Sequence, residues 1–338
     1  MSTRICVVGA GAIGGLLGAR LARSGHAVSL IARGAHLQAI QTQGLTLVDA
    51  DGRRDVVRDV KATDRIGDAG VQDVVMLALK AHQIPPVASE LSALFERPTI
   101  VVTLQNGIPW WYFQRHGGPL DGQRLESLDP GGTIETHVAP ERIIGCIAYP
   151  ATEIAQPGVI RQVEGNRFPV GEPDGSESER VKWLAALLEE AGFRSRVLTD
   201  IRSEIWLKAW GNLCFNPISA LTHATLAGIC RFPETRALAE TMMREAESIA
   251  GKLGVRFRHT IERRIAGAES VGEHKTSMLQ DLEAGKPMEI EALIGAVLEL
   301  ARLTQASCPA IESVYACVKL LDRTVPQQGK RLRPESAR

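Results

Sequence analysis

The chain has 338 residues, of which 44% are hydrophobic and 23% charged, and its 39 Lys and Arg residues are balanced by 39 Asp and Glu residues. This length suggests two domains. The balance of charge gives no reason to expect nucleic acid or an anionic membrane as a partner. No apolar run approaches the roughly 20 residues of a membrane-spanning helix. Because the N-terminus leads directly into a predicted strand, we expect no signal peptide.

The spacing of cysteines and histidines indicates whether disulfides or a metal site are to be expected. The six cysteines include no C-x-x-C pair, and the eight histidines are scattered without the spacing of metal ligands. We therefore expect buried free thiols in a reducing cytosol, no bound metal and a cytoplasmic protein.

A glycine-rich turn follows the first predicted strand. Residues 4–8 form a branched apolar run typical of a buried strand, residues 9–14 read GAGAIG, and a helical pattern comes next. In this context G-x-G-x-x-G predicts dinucleotide binding, whereas the same glycines elsewhere often form only a structural turn. Gly9 allows the tight turn, Gly11 the approach of a pyrophosphate, and Gly14 close packing of helix on strand. The helix N-terminus would face the phosphates with free N–H groups.

The end of the second predicted strand indicates which dinucleotide binds. That strand covers residues 27–31, and no acidic residue occurs before Asp49, although an NAD site should carry one near this strand end for the ribose 2′-OH. Arg33 stands there instead, and a guanidinium suits a 2′-phosphate. The sequence favours NADP; the alternative is a solvated surface arginine.

Two later strands end in polar residues. Lys80 and Gln83 follow the apolar run 74–79, and Gln105-Asn106-Gly107 follows the run 99–104. Ligands of doubly wound sheets bind at the carboxyl ends of strands, so these side chains are candidates for cofactor contacts. The alternatives are a lysine that only caps its strand and an Asn-Gly pair that only forms a turn.

The remaining elements change from mixed to helical along the chain. The stretch 110–130 begins with Trp-Trp-Tyr-Phe (residues 110–113) and continues as a polar segment that contains Gly and Pro. It predicts a partly exposed aromatic loop or short helix near the cleft, either a substrate-facing lid or a subunit contact. The polar stretch 171–178 is the expected domain boundary. The other predicted elements are helix 15–25, helix 35–43, a hairpin over 44–60 turned at Asp51-Gly52, helix 84–95, strands 143–149, 158–163, 166–170 and 193–197, and helices 181–191, 201–216, 234–253, 260–266, 288–304 and 310–321.

This order of elements predicts an α/β fold. An N-terminal Rossmann-type, doubly wound sheet should be followed by an all-α C-terminal domain. We expect the first domain over residues 1–173, the second over residues 174–325 and a disordered polar tail over residues 326–338.

Two polar constellations lie in the helical half. Lys208, Asn212 and Asn216 occupy positions i, i+4 and i+8 of one predicted helix and so share a face; such a stripe is more often a solvated face than a site. Ser277 and Glu289 form the second. Ser277 also fits a capping box, and Glu289 fits compensation of a helix dipole.

Several segments together resemble the ketopantoate reductase (2-dehydropantoate 2-reductase) family. The matching segments occur in the family's order over nearly all of the chain: Gly9-x-Gly11-x-x-Gly14, Leu79-Lys80-Ala81-x-Gln83, Leu104-Gln105-Asn106-Gly107, Lys208-x-x-x-Asn212-x-x-x-Asn216-Pro217, residues 276–281 and residues 287–291. The resemblance implies NADPH-dependent reduction of a 2-keto acid, 2-dehydropantoate to (R)-pantoate in pantothenate biosynthesis. It also implies a C-terminal domain like that of 6-phosphogluconate dehydrogenase, with the site in the cleft between the domains.

The resemblance also implies residue roles. Lys208 resembles the general acid and Glu289 the acidic partner near the substrate hydroxyl; Asn212, Asn216 and Ser277 resemble the substrate-binding groups. The implied cofactor contacts are Gly9, Gly11, Ala12, Ile13, Gly14, Arg33, Lys80, Gln105 and Asn106.

The sequence departs from the family in the segment 110–113, in the polar insert after it, and in Met288-Glu289-Ile290-Glu291 in place of the usual Thr-Glu-Ile-Asp. Two alternatives therefore stay open: reduction of a bulkier keto substrate reached through the aromatic segment, and a non-catalytic NADP-sensing protein. The sequence does not decide the oligomeric state, for which a homodimer is one candidate.

Overall fold

The computed structural model describes residues 2–327, and the chain divides into two compact units. The first comprises the chain up to Gln105 together with Pro109–Ile201, and the second comprises Asn106–Ile108 together with the chain from Arg202 onward. The division follows Ile201 rather than residue 173, where the sequence led us to expect it. The reason is the helix over Glu179–Glu190, whose buried leucines belong to the same hydrophobic core as the first strand.

The first unit contains two β-sheets. The strands are numbered in chain order. Within the described residues, a seven-stranded sheet has the strand order β11-β8-β7-β6-β1-β2-β5, and a four-stranded sheet has the strand order β4-β3-β10-β9. The strands are β1 Arg4–Val8, β2 Ala27–Ile31, β3 Leu45–Val48, β4 Arg54–Val57, β5 Val60–Thr63, β6 Val74–Leu77, β7 Ile100–Thr103, β8 Ile143–Cys146, β9 Ala151–Gln156, β10 Val159–Glu164 and β11 Val170–Gly171.

The large sheet is parallel except at its edge, which confirms the doubly wound prediction. Strand β1 pairs in parallel with β2 and with β6, Val8 lying opposite Ile31 on one side and Leu77 on the other. Among the described strands of this sheet, only β11 runs antiparallel to its neighbour. The strand order reverses between β1 and β6, and ligands of such sheets bind outside the carboxyl ends at that point. The glycine-rich turn leaves β1 at this edge.

Local sequence explains the smaller differences from prediction. The hairpin turned at Asp51-Gly52 is present as β3 and β4, whereas β9 was missed because it is mostly exposed and lacks a clear apolar pattern. The expected helix over residues 84–95 is broken into single turns around α3, as the Pro85-Pro86 pair requires. The α-helices of this unit are α1 Ala12–Arg23, α2 Gly34–Gln43, α3 Ala88–Leu91, α4 Thr133–His137 and α5 Glu179–Glu190.

The aromatic segment 110–113 is buried, so the expectation of a partly exposed loop is wrong for the aromatic part of the stretch 110–130. Its four side chains are at most 5% exposed. The indole N–H of Trp111 donates to Thr103 Oγ1 at 2.8 Å. A Cβ on Gly145 of β8 would lie 2.8 Å from the Trp111 ring, so glycine there leaves room for it. The segment is part of the first unit's core and not a lid.

The second unit is helical, in agreement with the predicted all-α domain. Helix α6 runs through Pro217 instead of ending there, because packing of the buried residues 213–215 and 218–220 offsets the lost backbone hydrogen bond. The helices are α6 Ile201–Thr222, α7 Leu226–Arg231, α8 Pro233–Lys252, α9 Ile261–Ser270, α10 Ser277–Glu283, a π-helical turn Glu291–Gly295, α11 Ala296–Leu303 and α12 Pro309–Gln327.

Helix α12 extends to Gln327, so the first two residues of the predicted tail are helical; residues 328–338 lie outside the described part of the chain. None of the helices described is both long and apolar enough to cross a bilayer. The six cysteines are free thiols. Burial raises the pKa of Cys6 to about 12, whereas Cys317 is exposed, contrary to the expectation of uniformly buried thiols.

Candidate functional site

The three glycines of the turn differ in the space around them. Gly9 has φ +99°, and a Cβ there would lie 2.8 Å from Leu79 Cδ2. A Cβ on Gly14 would lie 2.1 Å from the carbonyl oxygen of Gly9, so any side chain would push helix α1 off strand β1. A Cβ on Gly11 would meet nothing within 4 Å. The space beside Gly11 is therefore open, as a site that receives a pyrophosphate requires.

Helix α1 begins at Ala12, earlier than the predicted Gly15. Gly11 precedes it as the N-cap, and the N–H of Gly15 donates to Gly11 O at 2.7 Å. The N–H groups of Ala12, Ile13 and Gly14 thus belong to the first turn, where a helix has no carbonyl to offer them. The first turn contains no acidic residue, so the positive end of the helix dipole is left for an anion.

A cavity of about 380 Å³ opens beside this turn and brings Gly9, Gly11 and Arg33 together. Its open glycine face, helix N-terminus and guanidinium fit the phosphates of a dinucleotide. Lys80 and Gln105 are not among the described residues that line it. The full lining is Val8, Gly9, Ala10, Gly11, Ile31, Ala32, Arg33, His36, Ile66, Leu79, His82, Gln83, Pro86, Val87 and Ile154.

His36 is a lining residue that the sequence analysis missed. Its Nδ1 accepts the N–H of Gly158 at 3.0 Å, and burial lowers the pKa of the ring below its usual 6.5. The ring is therefore neutral at pH 7. Its place could have been inferred, because His36 lies in the first turn of α2, directly after Arg33 and the end of β2.

The polar residues at the ends of β6 and β7 tie those ends together. Gln105 Nε2 donates to the carbonyl oxygens of Leu77 and Leu79 at 2.7 and 3.2 Å. The backbone N–H of Lys80 donates to Gln83 Oε1 at 3.0 Å. Gln83 reaches the cavity itself, and Gln105 supports the strand end that forms its wall.

In the second unit, Asn106 links Lys208 to Glu289. Lys208 Nζ donates to Asn106 Oδ1 at 2.7 Å, and Asn106 Nδ2 donates to Glu289 Oε2 at 3.5 Å. All three side chains are half-buried. The Asn106 amide therefore contacts the Lys208 ammonium on one side and the Glu289 carboxylate on the other. The three residues come from segments that are distant in sequence. An ammonium held in this way can stabilise and protonate an oxygen that becomes negative during a reaction.

The stripe of α6 is not a solvated face. Lys208 and Asn212 are half-buried, and Asn216 is 5% exposed. Asn216 Nδ2 donates to Ser277 Oγ at 3.4 Å. Asn216 lies two turns beyond Lys208, about 12 Å along the helix axis.

The capping interpretation of Ser277 is wrong. The N-cap of α10 is Thr276, whose hydroxyl accepts the N–H of Leu279 at 3.4 Å. Ser277 is the first helical residue and is exposed. Its hydroxyl is thus left for Asn216 and for a ligand.

Both halves of the chain match models of one family. Residues 5–110 match the family described as "Ketopantoate reductase PanE/ApbA", and residues 200–322 match "Ketopantoate reductase PanE/ApbA C terminal". The chain is 54% identical to the 2-dehydropantoate 2-reductase of Mesorhizobium japonicum, with 94% of this chain and 97% of that protein covered.

Solved structures agree with the fold. A putative ketopantoate reductase from Ralstonia solanacearum MolK2 is 41% identical with a TM-score of 0.91, covering 96% of this chain and 99% of that one. A D-mandelate dehydrogenase in ternary complex with NADH and anilino(oxo)acetate has a TM-score of 0.82 at 22% identity, covering 95% and 99%. The latter likeness concerns the fold alone.

Proposed function

We propose that this chain, which belongs to the ketopantoate reductase family, reduces 2-dehydropantoate to (R)-pantoate with NADPH. The observation that carries the proposal is the chain of contacts from Lys208 through Asn106 to Glu289. Reduction of a keto group needs a hydride at carbon and a proton at oxygen. A half-buried ammonium with a fixed orientation is suited to the second requirement.

The dinucleotide would be held in the first unit. The N–H groups of the turn, including those of Ala12 and Ile13, would bind the pyrophosphate, and Arg33 would bind the 2′-phosphate. When bound, the nicotinamide cofactor supplies the hydride. We assign Lys80 and Gln105 supporting places beside the cofactor, since both follow strands that end at this edge. The lack of an acidic residue at the end of β2 supports NADPH over NADH.

Lys208 would act as the general acid. As negative charge develops on the substrate oxygen, the Lys208 ammonium donates a hydrogen bond to it and then the proton. Asn106 Oδ1 accepts one of the three ammonium protons, which limits rotation of Nζ and directs the others. The products are a neutral hydroxyl group and a neutral amine that water reprotonates.

Glu289 would bind at the hydroxyl end of the substrate. Its carboxylate is held by the amide of Asn106 and can accept a hydrogen bond from a substrate hydroxyl. Asn212, Asn216 and Ser277 would bind the rest of the substrate through amide and hydroxyl groups. The half-buried setting of Asn212 and the contact of Asn216 with Ser277 support this role.

Two alternatives differ in what they require. A bulkier keto substrate admitted through the aromatic segment loses its support, because residues 110–113 are buried in the first unit's core. A protein that only senses NADP, without catalysis, would not need the hydrogen bond between Lys208 and Asn106. That alternative therefore leaves this contact unexplained.

The experiment is a turnover screen. Purified protein is mixed with NADPH or NADH and with 2-dehydropantoate, a linear 2-keto acid such as 2-oxobutanoate, or an aromatic one such as phenylglyoxylate, and cofactor oxidation is followed at 340 nm. We expect the highest kcat/KM for NADPH with 2-dehydropantoate. Higher kcat/KM for phenylglyoxylate would replace the substrate assignment, and cofactor binding without turnover of any substrate would support the sensing alternative.

A further inference from the structure

A second cavity in the first unit has three arginines among the seven described residues that line it. It measures about 420 Å³ and shares no lining residue with the cavity beside the glycine-rich turn. It does not involve the residues to which a catalytic or substrate-binding role is given above. Its lining is Arg167, Pro169, Glu189, Phe193, Arg194, Ser195 and Arg196.

Backbone pairing fixes the arginines on one face. Arg167 lies opposite Arg194 in a parallel bridge, held by hydrogen bonds from Arg194 N to Asn166 O and from Phe168 N to Arg194 O, each 2.9 Å. Residues opposite each other on neighbouring strands share a face, as do alternate residues of one strand. Arg167, Arg194 and Arg196 therefore project from the same face.

The intervening residues point the other way. Ser195 is buried, and its hydroxyl donates to the carbonyl of Phe168 at 2.8 Å. Phe168 and Phe193 pack edge to face, 4.8 Å apart, in the core. The backbone that carries Arg167 and Arg194 is thus held in place by a side-chain hydrogen bond and by core packing.

This arrangement carries an excess of positive charge. Like charges directly opposite each other on neighbouring strands destabilise the fold. Within residues 2–327, neither Arg167 nor Arg194 forms an ion pair; the Arg167 guanidinium lies over the Tyr149 ring at 4.0 Å. Glu189 is the single carboxylate among the described lining residues. An anion placed between the arginines would relieve the repulsion.

We propose that this cavity binds a small organic dianion with an apolar body. Its anionic group, a phosphate monoester or a paired carboxylate, would lie between the guanidinium groups of Arg167 and Arg194, whose planar donors suit both groups. Its apolar body would pack against Pro169 and Phe193, the two apolar residues of the lining. Glu189 at the rim opposes a ligand of higher negative charge.

The test is calorimetric titration of the full chain with phenyl phosphate, after saturation with NADP⁺ to fill the other cavity. We expect binding that weakens at least about tenfold in Arg167→Ala and in Arg194→Ala, because each loses a charge-assisted hydrogen bond. Glu189→Gln should tighten binding, since it removes a like charge. Arg161→Ala is the matched control, because Arg161 is an exposed arginine of the same unit that pairs with Glu153 and does not line the cavity.

Titrations with other anions identify the chemical class of the ligand. Phthalate in place of phenyl phosphate distinguishes a dicarboxylate from a phosphate ester, and inorganic phosphate, which lacks the apolar body, should bind at least about tenfold more weakly. No binding of either organic dianion, equal binding by inorganic phosphate, or unchanged affinity in both arginine variants would overturn the proposal. So would binding that responds to Arg33→Ala, because the probe would then occupy the dinucleotide cavity. Arg194→Gln replaces any alanine variant that fails to fold.

Discussion

A Cβ atom on Gly107 would lie 2.1 Å from the carbonyl oxygen of Ala292. Gly107 also has φ +80°, and the N–H of the next residue, Ile108, donates to that same oxygen at 2.9 Å. Ala292 belongs to the π-helical turn that begins two residues after Glu289, and such turns are frequent at functional sites. The turn that presents Asn106 to Lys208 and Glu289 therefore rests directly on the backbone of that π-helical segment.

Gly107→Ala should displace Asn106. The added methyl group must move the turn away from Ala292, and a displacement of about 1 Å at a catalytic contact can cost about 10²-fold in rate. We expect kcat with 2-dehydropantoate to fall by about that factor in steady-state kinetics. Gly254→Ala is the control, because Gly254 has φ +83° but open space around it. This variant therefore tests the backbone strain of a positive φ without a steric clash. Equal kcat values for the two variants would contradict the positioning role.

Arg33 should determine cofactor preference. Arg33→Ala would remove the proposed contact with the 2′-phosphate, which the ground state and the transition state would share, so the KM for NADPH should rise while kcat stays nearly unchanged. Arg33→Asp should favour NADH, because a carboxylate accepts from the ribose 2′-OH and repels a 2′-phosphate. Kinetics with both cofactors measure this, with Arg65→Ala, an 80% exposed arginine side chain, as the control. A parent protein with equal kcat/KM for NADPH and NADH would contradict the assignment.

Sequence pattern predicted the fold where apolar periodicity is strong. Strands β1 and β2 were placed to the residue, because buried branched runs in a parallel sheet have few alternatives. It failed where tertiary packing decides. Residues 110–113 look exposed as an aromatic run between polar segments, yet Gly145 and Thr103, distant in sequence, provide the space and the hydrogen bond that bury Trp111.

The candidate site was only partly predictable. The spacing of Lys208, Asn212 and Asn216 placed them on one face, and the resemblance to a family gave that face a role. No local pattern could show that Asn106 joins the second unit or that its amide lies between Lys208 and Glu289. Such contacts depend on the packing of segments that lie 102 and 183 residues apart in the sequence.

Glu172 should be a stability residue of the first unit. It is 1% exposed and accepts from Arg180 Nη2 at 2.5 Å and from Arg180 Nε at 2.7 Å. Glu172→Ala leaves the partly buried Arg180 guanidinium without this carboxylate, and we expect a loss of about 3 kcal/mol in the free energy of unfolding by urea. Glu153→Ala breaks an exposed pair with Arg161 and should cost about 0–1 kcal/mol. Similar losses in both variants would refute the buried role.

His36 should make stability depend on pH. Because burial lowers its pKa in the folded state below 6.5, the unfolded chain takes up the proton first as the pH falls. The contribution is therefore fully present above pH 6.5 and is lost between 6.5 and the lower folded value. His36→Asn keeps an acceptor for Gly158 but does not titrate. Urea unfolding from pH 8 to 5 should show the parent losing stability relative to this variant below pH 6.5, and parallel pH profiles would contradict the shift.

Lys208 is the residue on which the proposed chemistry depends most. Without its ammonium, hydride transfer would leave an unprotonated and poorly stabilised alkoxide. General acid catalysis typically contributes a factor of about 10² to 10⁴, so Lys208→Ala should lower kcat by at least about 10²-fold. An exposed ion pair, by contrast, would be worth only about 0–1 kcal/mol. NADPH binding, followed by fluorescence titration, should persist, because the proposed cofactor contacts other than Asn106 lie in the first unit.

Two further variants separate charge, proton transfer and general lysine effects. Lys208→Arg keeps a positive charge, but a guanidinium does not give up its proton in proteins, so kcat should stay low if Lys208 is the proton donor. Lys286→Ala removes an exposed lysine of the same unit and should leave kcat near that of the parent. If Lys208→Arg restored most of the activity, the ammonium would act through its charge alone. If Lys208→Ala itself kept a kcat near the parent value, Lys208 would have no part in the reaction, and the contact with Asn106 would be structural.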